Sequence, residues 1–131
     1  MAEKGKTKQF IYVCSPLKAK SRDPDEAREE VESNLNRARE ACRTVSILGA
    51  VPIAPHLYCT QFLDDSVPDE RKTGMDIGLE FMRSGLIDEC WVFSEHISEG
   101  MLAEITLASD LDIPVRMICE SAGVLGKLLE E

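Results

Sequence analysis

Glu104 stands four residues after Gly100 in the stretch ISEGMLAEI, between an apolar run and an amphipathic one. A carboxylate in that position has two uses. It can be a first-turn acid, favoured by the positive end of a helix dipole, or it can be aimed into a pocket at the end of a parallel sheet, where open α/β folds bind ligands. Other chemically capable residues gather in two earlier stretches. Ser15, Pro16, Lys18, Lys20 and Arg22 follow the run QFIYVC, and His56 and Tyr58 follow AVPIAP. Three loop cations are often solvent decoration, but in an acidic chain they offset repulsion beside a ligand crevice and can grip a phosphate. His56-x-x-Cys59 has the spacing of half a metal site. No second pair of ligands accompanies it, so neither a metal nor another cofactor is expected.

The elements that position these residues follow from the hydropathy pattern. QFIYVCSP is a β-branched and aromatic run ended by Ser-Pro, which predicts a buried strand and then a loop. Asp23 as N-cap, Pro24 at the first helical position and Glu26 as the acid that reaches back start a long helix. Val31, Leu35, Ala38, Cys42, Val45 and Leu48 give it an apolar stripe, and Gly49 closes it. AVPIAP predicts a short strand, and HLYCTQFLDDSVPDE an irregular connection. A second helix runs from about Asp69 through Met75, Leu79 and Met82 to Ser84-Gly85, and ECWVF is a third strand in which Trp91 reads as core. Leu102, Ile105, Ala108 and Leu111 form the expected stripe of the next helix; IPVRMIC is a fourth strand and SAGVLGKLLEE a terminal helix.

Strands that alternate with helices, without clean period-two patterning, predict a doubly wound parallel sheet of the Rossmann-like or flavodoxin-like kind with helices on both faces. Ligands then belong at the loops leaving the strands, residues 14–24, 54–68 and 94–100, where the polar residues above fall. The chain has 131 residues, 44% of them hydrophobic, which suits a single domain over 1–131 with residues 1–8 as a flexible lead-in. A formal charge of -9 argues against binding a nucleic-acid polymer. No apolar run approaches the roughly 20 residues that span a bilayer, and the start MAEKGKTKQ is polar, so a cytoplasmic protein without a membrane partner is expected. The five cysteines, Cys14, Cys42, Cys59, Cys90 and Cys119, read as reduced core residues.

IYVCSP, PIAPHLY, GMDIGLEFM, DECWVF and EGMLAEI, in this order over residues 10 to 118, resemble the nucleoside 2-deoxyribosyltransferase-like superfamily, in particular a small bacterial and phage branch described as a domain of unknown function. The ordered set, rather than any one piece, carries the resemblance. It implies an enzyme that cleaves the N-glycosidic bond of a nucleoside or nucleotide, passing the sugar to another base or to water, and that assembles as a homo-oligomer. The family's nucleophilic glutamate falls on Glu104, which also has the glycine four residues earlier. A carboxylate can attack the anomeric carbon and form a covalent sugar ester through an oxocarbenium-like transition state.

The same resemblance distributes supporting roles. The family aspartate six residues before the nucleophile falls on Ser98, with Glu99 beside it as a substitute. A further family acid falls on Glu80 or, one turn earlier, on Asp76; a solvated helix face is the alternative for both. Tyr12 matches an aromatic near the sugar, or else is a core tyrosine, and Ser15, Pro16, Lys18, Gly100 and Met101 belong to the loops around the substrate. His56 is expected to hydrogen-bond a sugar hydroxyl or a base, or to stabilise its own loop. The competing function is a binding module that senses or sequesters a nucleotide-derived ligand in the same crevice.

Overall fold

The computed structural model describes residues 8–118. The expected lead-in, all but Lys8 of it, and the expected terminal helix lie outside the described residues. The element order is β1 (Phe10–Cys14), α1 (Pro24–Ile47), β2 (Val51–Ile53), α2 (Pro55–Cys59), α3 (Pro68–Arg83), β3 (Glu89–Val92), α4 (Glu99–Asp110) and β4 (Val115–Met117). The strands form one all-parallel sheet in the order β2-β1-β3-β4. The chain thus steps outward from β1 to β2 and then returns to the other side of β1. That reversal makes the carboxyl ends of β1 and β3 the topological switch point, the natural place for a crevice.

β1 is covered on both faces, which is why its sequence shows no alternation of polar and apolar residues. Ile11 and Val13 face a cluster with Ala41 and Val45 of α1, Trp91 and Phe93. Tyr12 and Cys14 face the opposite cluster, with Met82 of α3, Cys90, Val92, and Met101 and Ala108 of α4. At its start β1 is clipped to β3: the Asp88 N–H donates to the Phe10 carbonyl at 2.8 Å, and the Phe10 N–H donates to Asp88 Oδ2 at 2.7 Å. The clip fixes the register in which Tyr12 lies beside Cys90 and Cys14 beside Val92.

α1 starts where its capping residues predict. The Glu26 N–H donates to Asp23 Oδ2 at 3.0 Å, Pro24 is the first helical residue, and Gly49 follows with a φ of 91° that a Cβ-bearing residue rarely adopts. The reciprocal half of the capping box is absent. Ser21 Oγ donates to Glu26 Oε1 at 2.8 Å and accepts the Asp23 N–H at 3.1 Å, so Glu26 holds the preceding loop instead. With 24 residues, α1 is about 36 Å long, roughly twice the length of the five-residue β1. Only its second half supplies buried residues, and the first half overhangs the carboxyl end of the sheet. From that overhang Asn34 Nδ2 donates to the Leu17 carbonyl at 3.1 Å, and Glu30 accepts the Lys20 and Ser21 N–H groups at 2.9 Å each. The basic loop after β1 is tied to a helix in this way.

Two expectations about elements are corrected. The connection after β2 is not wholly irregular, because Pro55 opens a one-turn helix, α2, that buries Pro55 and Cys59. The inward stripe of α4 keeps Ile105 and Ala108 as expected, but Met101 and Glu104 stand in it where Leu102 and Leu111 were expected. Met101 and Ala108 are buried, whereas Leu102 is 56% and Leu111 42% exposed. The stripe runs through Met101, Glu104, Ile105 and Ala108, the i, i+3, i+4, i+7 spacing of one helix face.

Candidate functional site

Because Glu104 lies on the inward stripe of α4, its carboxylate is carried down onto β1. Tyr12 Oη donates to Glu104 Oε2, and Cys14 Sγ donates to Oε1 at 3.3 Å. Side chains two apart on a strand point to the same face, so one strand supplies a donor to each carboxylate oxygen. α3 makes room for the contact with bare backbone. A Cβ on Gly78 would stand 2.6 Å from Tyr12 Oη and 3.5 Å from Glu104 Oε2.

Burial raises Glu104 from 4.5 to about 7, against the two hydrogen bonds from Tyr12 and Cys14, which lower it. The residue keeps some exposure through the pocket mouth, but its carboxylate is ringed by protein groups, and no ion pair among the described residues involves it. Burial, and after it the Glu104 charge, pushes the Tyr12 hydroxyl well above its ordinary range, so Tyr12 keeps the proton it donates. A carboxylate held by neutral donors and poised near pH 7 is suited to act as a nucleophile or a proton carrier.

The carboxylate lies at the wall of a pocket that is open on one side. β1 and its loop contribute Tyr12, Ser15 and Lys18; α2 contributes Pro55, His56 and Cys59; Gly74, Met75 and Gly78 come from α3, and Ser98, Gly100 and Met101 from the start of α4. Ser15 Oγ and His56 Nε2 are 3.0 Å apart. Loss of solvent around the His56 ring lowers its pKa to about 4, so the imidazole is neutral at pH 7 and pairs with Ser15 as one uncharged donor or acceptor. A wider groove adjoins the pocket and shares Lys18, Arg71, Met75, Ser98 and Gly100 with it. Lys20, Glu30 and Arg37 line this outer part beneath the overhang of α1. Arg71 Nη1 clamps both oxygens of Asp65 at 3.1 and 3.0 Å, which ties the connection before α3 to the rim.

A family model described as a domain of unknown function (DUF7768) matches residues 9–118. The chain belongs to this family. No curated protein matches the chain in sequence. Among solved structures, the DUF7768 chain is similar to a 2-deoxyribosyltransferase from Bacillus psychrosaccharolyticus, with a TM-score of 0.57 over 83% of this chain and 71% of that one. The identity is 16%, so the likeness is one of fold. It agrees with the four-stranded, all-parallel α/β architecture.

The DUF7768 structure gathers most of the residues singled out from the sequence. Tyr12, Ser15, Lys18, His56, Ser98, Gly100, Met101 and Glu104 line the inner pocket, while Pro16, Ser98 and Glu99 line the outer groove. Ser98 is the N-cap of α4 and accepts the Met101 N–H at 3.2 Å, so its hydroxyl serves the helix while facing the pocket. Asp76 and Glu80 are not brought to the site. Both are exposed on the outer face of α3, where Asp76 pairs with Lys72 at 3.1 Å and Glu80 with Arg83 at 3.4 Å. The inward face of α3 is taken by Gly74, Gly78 and Met82, and the acids that join Glu104 along the pocket are Asp65 and Glu70. Arg22 lines neither cavity, and Trp91 is buried on the α1 face with its indole N–H on Glu89 at 2.7 Å. Sequence reasoning passed over Cys14, Gly78 and Arg71. For Cys14 the signal was present, since Tyr12-x-Cys14 places two donors on one face of a strand.

Proposed function

We propose that this protein is an N-glycosidase or 2-deoxyribosyltransferase acting on nucleosides or nucleotides, with Glu104 as its nucleophile. The observation that carries the reading is the half-buried carboxylate of Glu104, without an ion pair among the described residues and held on both oxygens by Tyr12 and Cys14 in a pocket at the switch point of the sheet. In the first step a Glu104 oxygen bonds to the anomeric carbon as the carbon–nitrogen bond breaks. The bonding pair leaves with the base nitrogen, which takes a proton from the pocket or its water. In the second step water or another base displaces Glu104 and the carboxylate is regenerated. His56 with Ser15 offers neutral hydrogen bonds to sugar hydroxyls, and Lys18 at the junction of the two cavities offers a charge to a phosphate.

One observation favours a second reading, a binding module for a nucleotide-derived ligand: the position carried over from the family aspartate holds Ser98, whose hydroxyl is engaged in capping. Incubating the protein with a panel of ribo- and deoxyribonucleosides and their monophosphates, with and without an acceptor base, separates the two. Free base found by chromatography supports the enzyme, and ligand retained intact across the panel supports the binding module. We further propose a homo-oligomer, because Tyr58 and Phe62 are 45% and 59% exposed side by side, with ring centroids 5.7 Å apart. A light-scattering mass of 14.6 kDa at micromolar concentration would refute the self-association.

A further inference from the structure

Cys14 is the last residue of β1, has no solvent exposure, and points its thiol at Glu104 Oε1 from 3.3 Å. Three reasons set it apart from a core cysteine that packs and nothing more. Its partner is the carboxylate of the site; it serves the oxygen that Tyr12 does not serve; and the sulfur is also 3.9 Å from the Met101 carbonyl, at the first turns of the helix that carries Glu104. Rotation of the carboxylate about its terminal bond is therefore opposed at both oxygens. We propose that Cys14 is a positioning residue for Glu104, its thiol donating to Oε1 so that, with Tyr12 on Oε2, the carboxylate plane is fixed for attack on the sugar. The proposal rests on the reading of Glu104 as the nucleophile.

The thiol is suited to this and unsuited to chemistry of its own. The neighbouring Cys90 thiol, burial, and the Glu104 charge push Cys14 well above the ordinary thiol range. It stays protonated, so it is a donor at every working pH and no reactive thiolate forms. The other groups around the carboxylate do not duplicate the role. β3 presents the Cys90 thiol behind Cys14, α3 sets Gly78 against the carboxylate, and β4 turns Arg116 to the other face of the sheet, 5.5 Å over the Trp91 ring. Across the pocket stand His56 and Cys59 of α2, Asp65, Glu70 and Arg71 at the rim, and Lys18 from the first loop. On α4 itself Glu99 is exposed in the first turn.

The test compares Cys14→Ala and Cys14→Val, which lack the donor, with Cys14→Ser, which restores one. The Glu104 side-chain carboxyl is followed by carbon NMR as a function of pH in the substrate-free protein, beside the pH profile of base release. Loss of a donor to the charged form should move the Glu104 midpoint upward by roughly half a pH unit to one unit, lowering the ionised fraction on the acid side about threefold to tenfold. Cys14→Ser should return the midpoint most of the way. Ala and Val variants that titrate as wild type, or a Ser variant that behaves as they do, would overturn the proposal. The NMR titration needs no turnover, so a wild type that releases no base would remove the enzymatic reading while leaving the Cys14–Glu104 contact tested. Val fills the space of the sulfur with apolar atoms, which provides a donor-free variant where the cavity left by Ala prevents folding.

Discussion

Glu104→Gln separates a nucleophile from an ordinary helix acid by two slopes against pH. Folding raises Glu104 from 4.5 to about 7, so the folded chain binds this proton more tightly than the unfolded one. The stability contributed by that preference is fully present below pH 4.5 and is lost as pH rises through about 7. At about 1.4 kcal/mol per pH unit, the rise corresponds to about 3 kcal/mol as an upper figure, and about half that after allowing for solvent at the pocket mouth. Glutamine has no proton to lose and so lacks this component. Urea melts of both proteins at pH 5, 6, 7 and 8 should therefore show glutamine gaining on the wild type as pH rises, whatever constant offset the altered hydrogen bonds impose. Turnover should move the other way. Wild-type base release should climb through pH 7 as the carboxylate ionises, while the variant loses orders of magnitude. Parallel stability curves, or a glutamine variant that keeps its turnover, would refute the argument that this carboxylate is buried for chemistry.

Gly78→Ala should push the Tyr12 hydroxyl off Glu104, since the added carbon would stand 2.6 Å from it. Overpacking of this kind costs about 1 to 3 kcal/mol, so a lower melting temperature and a large loss of base release are expected; wild-type values in both would show that the helix simply shifts away. Replacing Lys18, Lys20 and Arg22 together with glutamine should weaken nucleotide binding far more than binding of the matching nucleosides, and Lys18→Gln alone should account for most of the loss, because Lys18 lines both cavities and Arg22 lines neither. Calorimetry that returned equal losses for nucleotides and nucleosides would rule out a phosphate grip.

The framework was legible because each of its signals is local. Ser15-Pro16 ends a strand, Asp23-Pro24 starts a helix, Gly49 permits the turn that stops one, and apolar runs alternating with amphipathic ones imply a covered parallel sheet. The site was legible in part for the same reason, since strand ends can be counted. What escaped was non-local. Glu104 was a candidate because of its place after Gly100, yet the stripe drawn for its helix left it out, because periodicity scores a carboxylate as polar and its inward position depends on donors from β1. Asp76 and Glu80 are candidates through the family resemblance and the spacing of their helix, and their exposed pairs with Lys72 and Arg83 emerge only once α3 is rotated by its glycine face. Cys14 reads as one more buried cysteine until the helix above it is in place. The one-turn α2 was missed because five residues are too few to establish a period.

Tyr12 and Glu104 lie 92 positions apart in the chain, and Cys14 and Glu104 lie 90 apart. The exposed stretch around Ser66, between α2 and α3, divides them: β1, α1, β2 and α2 fall on one side, α3, β3, α4 and β4 on the other. β1 pairs with β3 across that division, so the central seam of the sheet and the carboxylate clamp both join the two sides. Neither half carries the clamp alone. Cut at this stretch, the protein becomes a two-piece assembly whose pocket exists only while the pieces are zipped along β1 and β3, and any signal from Glu104 reports that joining directly.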